Sequence, residues 1–109
     1  MSNELILFVT APNSDEAGRI AEALVGERLA ACVNIISGIE SIYRWEGNVA
    51  RDKEVLLIIK TTDARYGEIE QRVKELHSYA TPEVIAYRIE RGSEDYLNWL
   101  RNSTARDNA

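Results

Sequence analysis

The 109-residue chain is poor in the residues that most often build metal centres and covalent scaffolds: it has one cysteine, one histidine, one methionine and two prolines. A lone cysteine, Cys32, closes no intrachain disulfide, so packing must hold the fold, and a cysteine-rich zinc module is excluded. A lone histidine, His77, excludes the multi-histidine zinc sites within one chain. The sequence lacks GxGxxG, a Walker loop, GxSxG and HExxH, which removes the familiar dinucleotide, nucleotide, hydrolase and zincin designs, and no paired acid and base can be placed together. An enzyme is therefore not expected. Long apolar runs are missing too, and the opening MSNELILFV has no basic leader, so a first strand is expected there in place of a signal peptide or membrane anchor, with a cytoplasmic location. Positive charge is in the minority, 13 basic against 18 acidic side chains for a net charge of -5, and such a field repels phosphate backbones, so no nucleic-acid partner is expected.

What is present, 45% hydrophobic and 28% charged residues, is the composition of a soluble globular protein, and the length suits one domain over 1–109. Leu5 to Thr10 is a compact strand-forming run. Asn13 with Glu16 three residues on reads as a helix start, and Ala17, Ile20, Ala21, Leu24 and Val25 fall on one helical stripe. Cys32 to Trp45 is β-branched and aromatic, interrupted at Ser37-Gly38 as a bulge would be. Glu46 to Asn48 reads as a tight turn, so the strand that follows completes a long β-hairpin whose far end carries Tyr43, Arg44 and Trp45. A second helix is expected from Asp63 to Leu76, a last strand from Glu83 to Ile89, and a short helix capped by Ser93, with RNSTARDNA as a loose tail.

The order β, α, β, β, α, β plus a terminal helix is an α+β, ferredoxin-like sandwich. Its central strand Val55 to Ile59 is apolar on both parities, whereas a strand with one wet face alternates. Two helices cover one side of the sheet, so the simplest cover for the other is a further copy of the chain. Self-association is thus the first functional expectation.

Few residues are left to carry chemistry. His77 and Cys32 supply nitrogen and sulfur for a borderline ion such as copper, with Glu54 or Glu83 as oxygen ligands, and symmetry would multiply each ligand across subunits. Against this, a lone histidine at a helix end more often serves as a cap or hydrogen-bond partner, and a lone cysteine as a small buried hydrophobe. A different ligand class is suggested by Trp45, Lys60 and Tyr79, which would line a cleft between subunits for a small anionic metabolite, making the protein a trimeric sensor or scaffold that signals to a partner protein through its hairpins. SIYRWEG, from Ser41 to Gly47, suits a ligand or a subunit contact, the latter favoured because aromatics and arginine concentrate in interface cores.

AACVNI (Ala30 to Ile35), SIYRWEG, EVLLIIKTT, YATPEVIA and the closing DYLNWL together resemble, in order and across nearly the whole chain, the CutA divalent-cation tolerance family. The resemblance implies a ferredoxin-like protomer in a homotrimer, long hairpins reaching between subunits, a cytoplasmic location and an association with copper and other divalent ions, with no organic cofactor. It also implies a copper ligand set with a first-strand cysteine and paired histidines. Here those positions hold Val9 and Leu76, and the family's His-Pro-Tyr pattern reads His77, Ser78, Tyr79, so His77 is the only match.

Overall fold

The computed structural model describes residues 3–106. The chain forms β1 (Glu4–Ala11), α1 (Ser14–Gly26), β2 (Cys32–Trp45), β3 (Asn48–Thr62), a 3-10 turn (Asp63–Arg65), α2 (Tyr66–Leu76), β4 (Val84–Arg88) and α3 (Glu94–Ser103). The four strands make one antiparallel sheet in the order β2-β3-β1-β4, the ferredoxin-like arrangement expected from the sequence.

Local chemistry sets the element ends. Asn13 caps α1 by accepting the Glu16 N–H on Oδ1 at 2.8 Å, and Ser93 caps α3 by accepting the Tyr96 N–H at 3.1 Å. The hairpin closes through two residues with positive φ, Glu46 at 48° and Gly47 at 81°, which places Trp45 opposite Asn48 and matches the right-handed twist of the strands. The second expected helix begins one turn later than its sequence suggests, because the 3-10 turn at Asp63–Arg65 leads into it.

Strand alternation sorts the sheet into two faces. Leu5, Leu7, Val9 and Ala11 of β1 and Val55, Leu57 and Ile59 of β3 pack against Ala17, Ile20 and Leu24 of α1 and Ile69 and Val73 of α2 to form the core. The opposite parity brings Ile6, Phe8, Ile36, Leu56, Ile58, Ile85 and Tyr87 to the second face, where Phe8 and Tyr87 meet edge to face at 5.6 Å. Ile36, Ile85 and Tyr87 stay exposed there, so the chain's own helices leave this apolar face open, as the sequence of β3 implies.

The helix α3 packs against β1 and β3 at the end of the sheet where β1 begins, and Arg101 pairs with the buried Glu4 at 3.1 Å. The tail corrects one expectation. Arg101 to Ser103 are helical, Thr104 is buried, and Arg65 Nε donates to the Thr104 carbonyl at 2.9 Å while Arg28 donates to those of Asn102 and Ala105. Arginine donors from distant loops satisfy the carbonyls that a helix end leaves unpaired, a contact that the tail's own polar sequence does not announce. The expectation for Asp107 to Ala109 lies outside the described residues. Among the described residues no helix is long and apolar enough to cross a membrane.

Candidate functional site

At the other end of the sheet, where β1 finishes, a groove of about 800 Å³ opens between the hairpin and the segment 79–83. Its construction starts at the bulge. Ile36 pairs with Leu56 but Ile39 with Glu54, so Ser37 and Gly38 together oppose Val55, with Gly38 at φ 79°. The extra residue reverses the parity of β2 beyond it, so Ile39 and Ser41 lie directly across from Glu54 and Asp52. Tyr43 and Trp45 follow on the same parity and join these carboxylates at the groove.

The tyrosines tie its walls together. Tyr79 donates its hydroxyl to Glu54 Oε2 at 2.8 Å, linking the loop after α2 to the hairpin, and Tyr43 donates to Asp52 within the hairpin. Burial first, then the hydrogen bond to Glu54 and its negative charge, push the Tyr79 phenol well above its ordinary range; Tyr43 is raised first by its bond to Asp52. Because the folded-state value of Tyr79 is raised, its contribution to stability is complete below the ordinary phenol value of about 10 and is lost only as pH climbs through the higher folded value. In an ultraviolet titration Tyr79 should ionise in a late phase at high pH, and Tyr79→Phe should shrink that phase. An unchanged late phase would reject the assignment.

His77 lies behind this loop, and its side chain is fully buried. Its Nδ1 accepts the Tyr79 N–H at 3.0 Å, which assigns the ring proton to Nε2, and Nε2 donates to the Thr10 carbonyl at 2.7 Å. Glu16, in the first turn of α1, accepts from both the N–H and the hydroxyl of Ser78 at 3.0 Å, and its Oε2 lies 3.3 Å from Nδ1. One imidazole and one carboxylate thereby lock the turn between α2 and β4 onto β1 and α1. Both ring nitrogens are occupied within the chain, leaving His77 no lone pair to offer an ion in this arrangement.

Of the candidates read from the sequence, Glu54, Glu83, Trp45 and Tyr79 come together in the groove. Cys32 and Lys60 do not join them: they pair with each other across β2 and β3, and Lys60 donates to Asn34. Lys60 is six residues up β3 from Glu54, roughly 20 Å along an extended strand. The anion cleft of Trp45, Lys60 and Tyr79 is therefore not assembled within one chain. Neither is the metal set, because His77 is buried behind the loop and, among the described residues, no three or more His, Cys, Asp or Glu side chains are grouped to hold an ion. Sequence reasoning placed Tyr43 at the hairpin end and Glu16 at a helix start, but missed Asp52 and the bond from Glu16 to the loop after α2. Counting back from the two-residue turn would have set Ser41 opposite Asp52, but nothing local links Glu16 to a loop 62 residues away.

The family model described as CutA1 divalent ion tolerance protein matches residues 5–103. The chain is 50% identical over 101 residues to the divalent-cation tolerance protein CutA of Thermus thermophilus, covering 93% of this chain and 98% of that one. It is 49% identical to the chloroplastic protein CutA 1 of Oryza sativa, covering 92% of this chain but only 56% of the longer plant protein. The crystal structure of CutA1 from Oryza sativa superposes with a TM-score of 0.94 at 46% identity, covering 97% of each chain. With its fold, its length and half of its residues shared in this way, the chain belongs to the CutA1 divalent ion tolerance family.

Proposed function

We propose that this chain works as a cytoplasmic homotrimer in tolerance of divalent cations, copper among them, without catalysing a reaction. It holds the ion weakly at the carboxylates of the groove, where a neighbouring copy supplies the rest of the coordination. The observation that carries this reading is the gathering of Glu54 and Glu83 in one groove with Asp52. A single chain does not build a closed site, and carboxylate oxygens are hard ligands that hold copper less selectively than imidazole or thiolate would, which is why the binding is weak. The free thiol of Cys32 suits a reducing compartment, and cell fractionation checks the location.

Calorimetric titration of metal-free protein with Cu(II) and with Zn(II) tests the site. Weak saturable binding is expected in the wild type, a loss of about tenfold in affinity in the Glu54→Gln/Glu83→Gln double variant, and no change in Cys32→Ala. Equal affinity in wild type and double variant would overturn the carboxylate assignment.

A second reading, a trimeric small-metabolite sensor that signals to a protein partner through the hairpins, is supported by the ligand-sized groove and by the exposed Trp45 and Val49 at the hairpin end. An anionic metabolite is disfavoured, because three carboxylates face the groove and Lys60 lies elsewhere.

A further inference from the structure

We propose that His77 is a proton-operated latch: when the ring takes up a proton, Nδ1 exchanges the Tyr79 N–H for the Glu16 carboxylate and so loosens the turn between α2 and β4. Everything the exchange needs is enclosed within one chain, since the side chain of His77 is 0% exposed and that of Glu16 7%. A neighbouring copy can cover such groups further but cannot take their place. The device is independent of which ligand the groove holds.

The two ring nitrogens have different partners, and only one of them changes. Nε2 donates to the Thr10 carbonyl at 2.7 Å in either state, because it carries a proton in both this neutral tautomer and the imidazolium. Nδ1 is the variable atom. As a bare nitrogen it accepts the Tyr79 N–H at 3.0 Å, and it then stands 3.3 Å from Glu16 Oε2 as one acceptor facing another. The carboxylate oxygen tolerates this because the Ser78 N–H and hydroxyl both donate to it at 3.0 Å. A proton on Nδ1 reverses both relations, since it meets an acceptor on Glu16 and a donor on Tyr79. The Nδ1–H then makes a charge-assisted bond to Glu16, and the Tyr79 N–H loses its partner.

The groups packed around the ring support that direction. Helix α1 brings the Glu16 carboxylate, β1 the uncharged Thr10 carbonyl, and the loop the Tyr79 ring at 4.6 Å, whose hydroxyl is held by Glu54 of β3. A positive ring therefore faces an acceptor at each nitrogen. Histidine is the side chain that changes charge near neutral pH, and segment 79–83 carries a wall of the groove, so proton uptake at one buried ring loosens the chain's own hold on that wall.

The test follows the full-length protein by nitrogen-15 resonance from about pH 8 to about pH 5, the range in which histidine commonly changes charge. Nδ1 should pass from an unprotonated to a protonated shift while Nε2 stays protonated. The Tyr79 amide should move with the same midpoint and, corrected for pH, exchange with solvent at least about tenfold faster in the acid state. Glu16→Gln keeps an acceptor for Ser78 but removes the charge, and should weaken proton binding at Nδ1 at least about tenfold. In His77→Gln, which cannot titrate at this position, the Tyr79 amide should stay still. An Nδ1 that remains unprotonated down to about pH 5, or that gains a proton without moving the Tyr79 amide, would overturn the proposal. So would a Glu16→Gln transition identical to that of the wild type, and so would a Tyr79 response that persists in His77→Gln, which would trace it to Asp52, Glu54 or Glu83. Should a variant fail to fold, the wild-type Nδ1 and Tyr79 shifts still decide.

Discussion

An Ile58→Asp variant should run as a folded monomer of 12.3 kDa, where the proposed trimer predicts about three times that mass for the wild type. Ile58 sits on the open face of the sheet, directly opposite Phe8 on β1 and Asn34 on β2, with Ile36, Ile85 and Tyr87 around it on neighbouring strands. Helices α1 and α2 use the other face, so among the described residues only α3, at the far end, approaches these side chains. Burying each such side chain against another copy is worth about 1.5–3 kcal/mol, and the symmetry of a trimer triples every gain and every loss. A carboxylate forced into that contact without a partner costs several kcal/mol per copy, enough to dissociate the assembly. The monomer itself keeps its core, because position 58 lies on the opposite parity from Leu57 and Ile59. Light scattering after size exclusion reads the mass and far-ultraviolet dichroism reads the fold. A folded variant that stays trimeric would show that the second face is not the interface.

His77→Ala should lower stability by about 2–4 kcal/mol while the folded variant still binds the cation. The substitution strips a partner from the Thr10 carbonyl and from the Tyr79 N–H, and it leaves a void where a fully buried ring stood. Orphaning buried backbone groups costs about 1–3 kcal/mol each before relaxation, and the void adds its own term; water entering the space and movement of the loop recover part of both. Urea denaturation at fixed protein concentration measures the loss, since oligomerisation makes apparent stability depend on concentration. Cu(II) titration of the folded variant supplies the second readout. A stable His77→Ala protein that no longer binds metal would make His77 a ligand; the expected result is the reverse.

Much of the fold was legible because its signals are local. Asn13 and Ser93 cap helices through bonds to residues three positions on, Gly47 accepts a positive φ, and the stripes of α1 and α2 repeat within a few turns. The two-sided apolar character of Val55 to Ile59 likewise pointed to a core face, which packs on the helices, and to an apolar outer face, on which Ile36, Ile85 and Tyr87 are exposed. The site was less legible. Ser37-Gly38 could be read as a bulge, but its consequence, that Tyr43 and Trp45 share a face with Asp52 and Glu54, depends on the pairing register of two strands.

By itself, then, the sequence determined the elements, their order, the turn and the bulge, and the exclusion of disulfide and multi-histidine chemistry, because propensity, capping and composition act over a few residues or none at all. Only the tertiary structure decided which chemical groups meet. It took His77 out of the set of available ligands by bringing up the Thr10 carbonyl from 67 residues away, separated Lys60 from Trp45 and Tyr79, and assembled three carboxylates and three aromatics along one groove. Those outcomes depend on strand register and on contacts between distant segments, which have no local signature in the order of the residues.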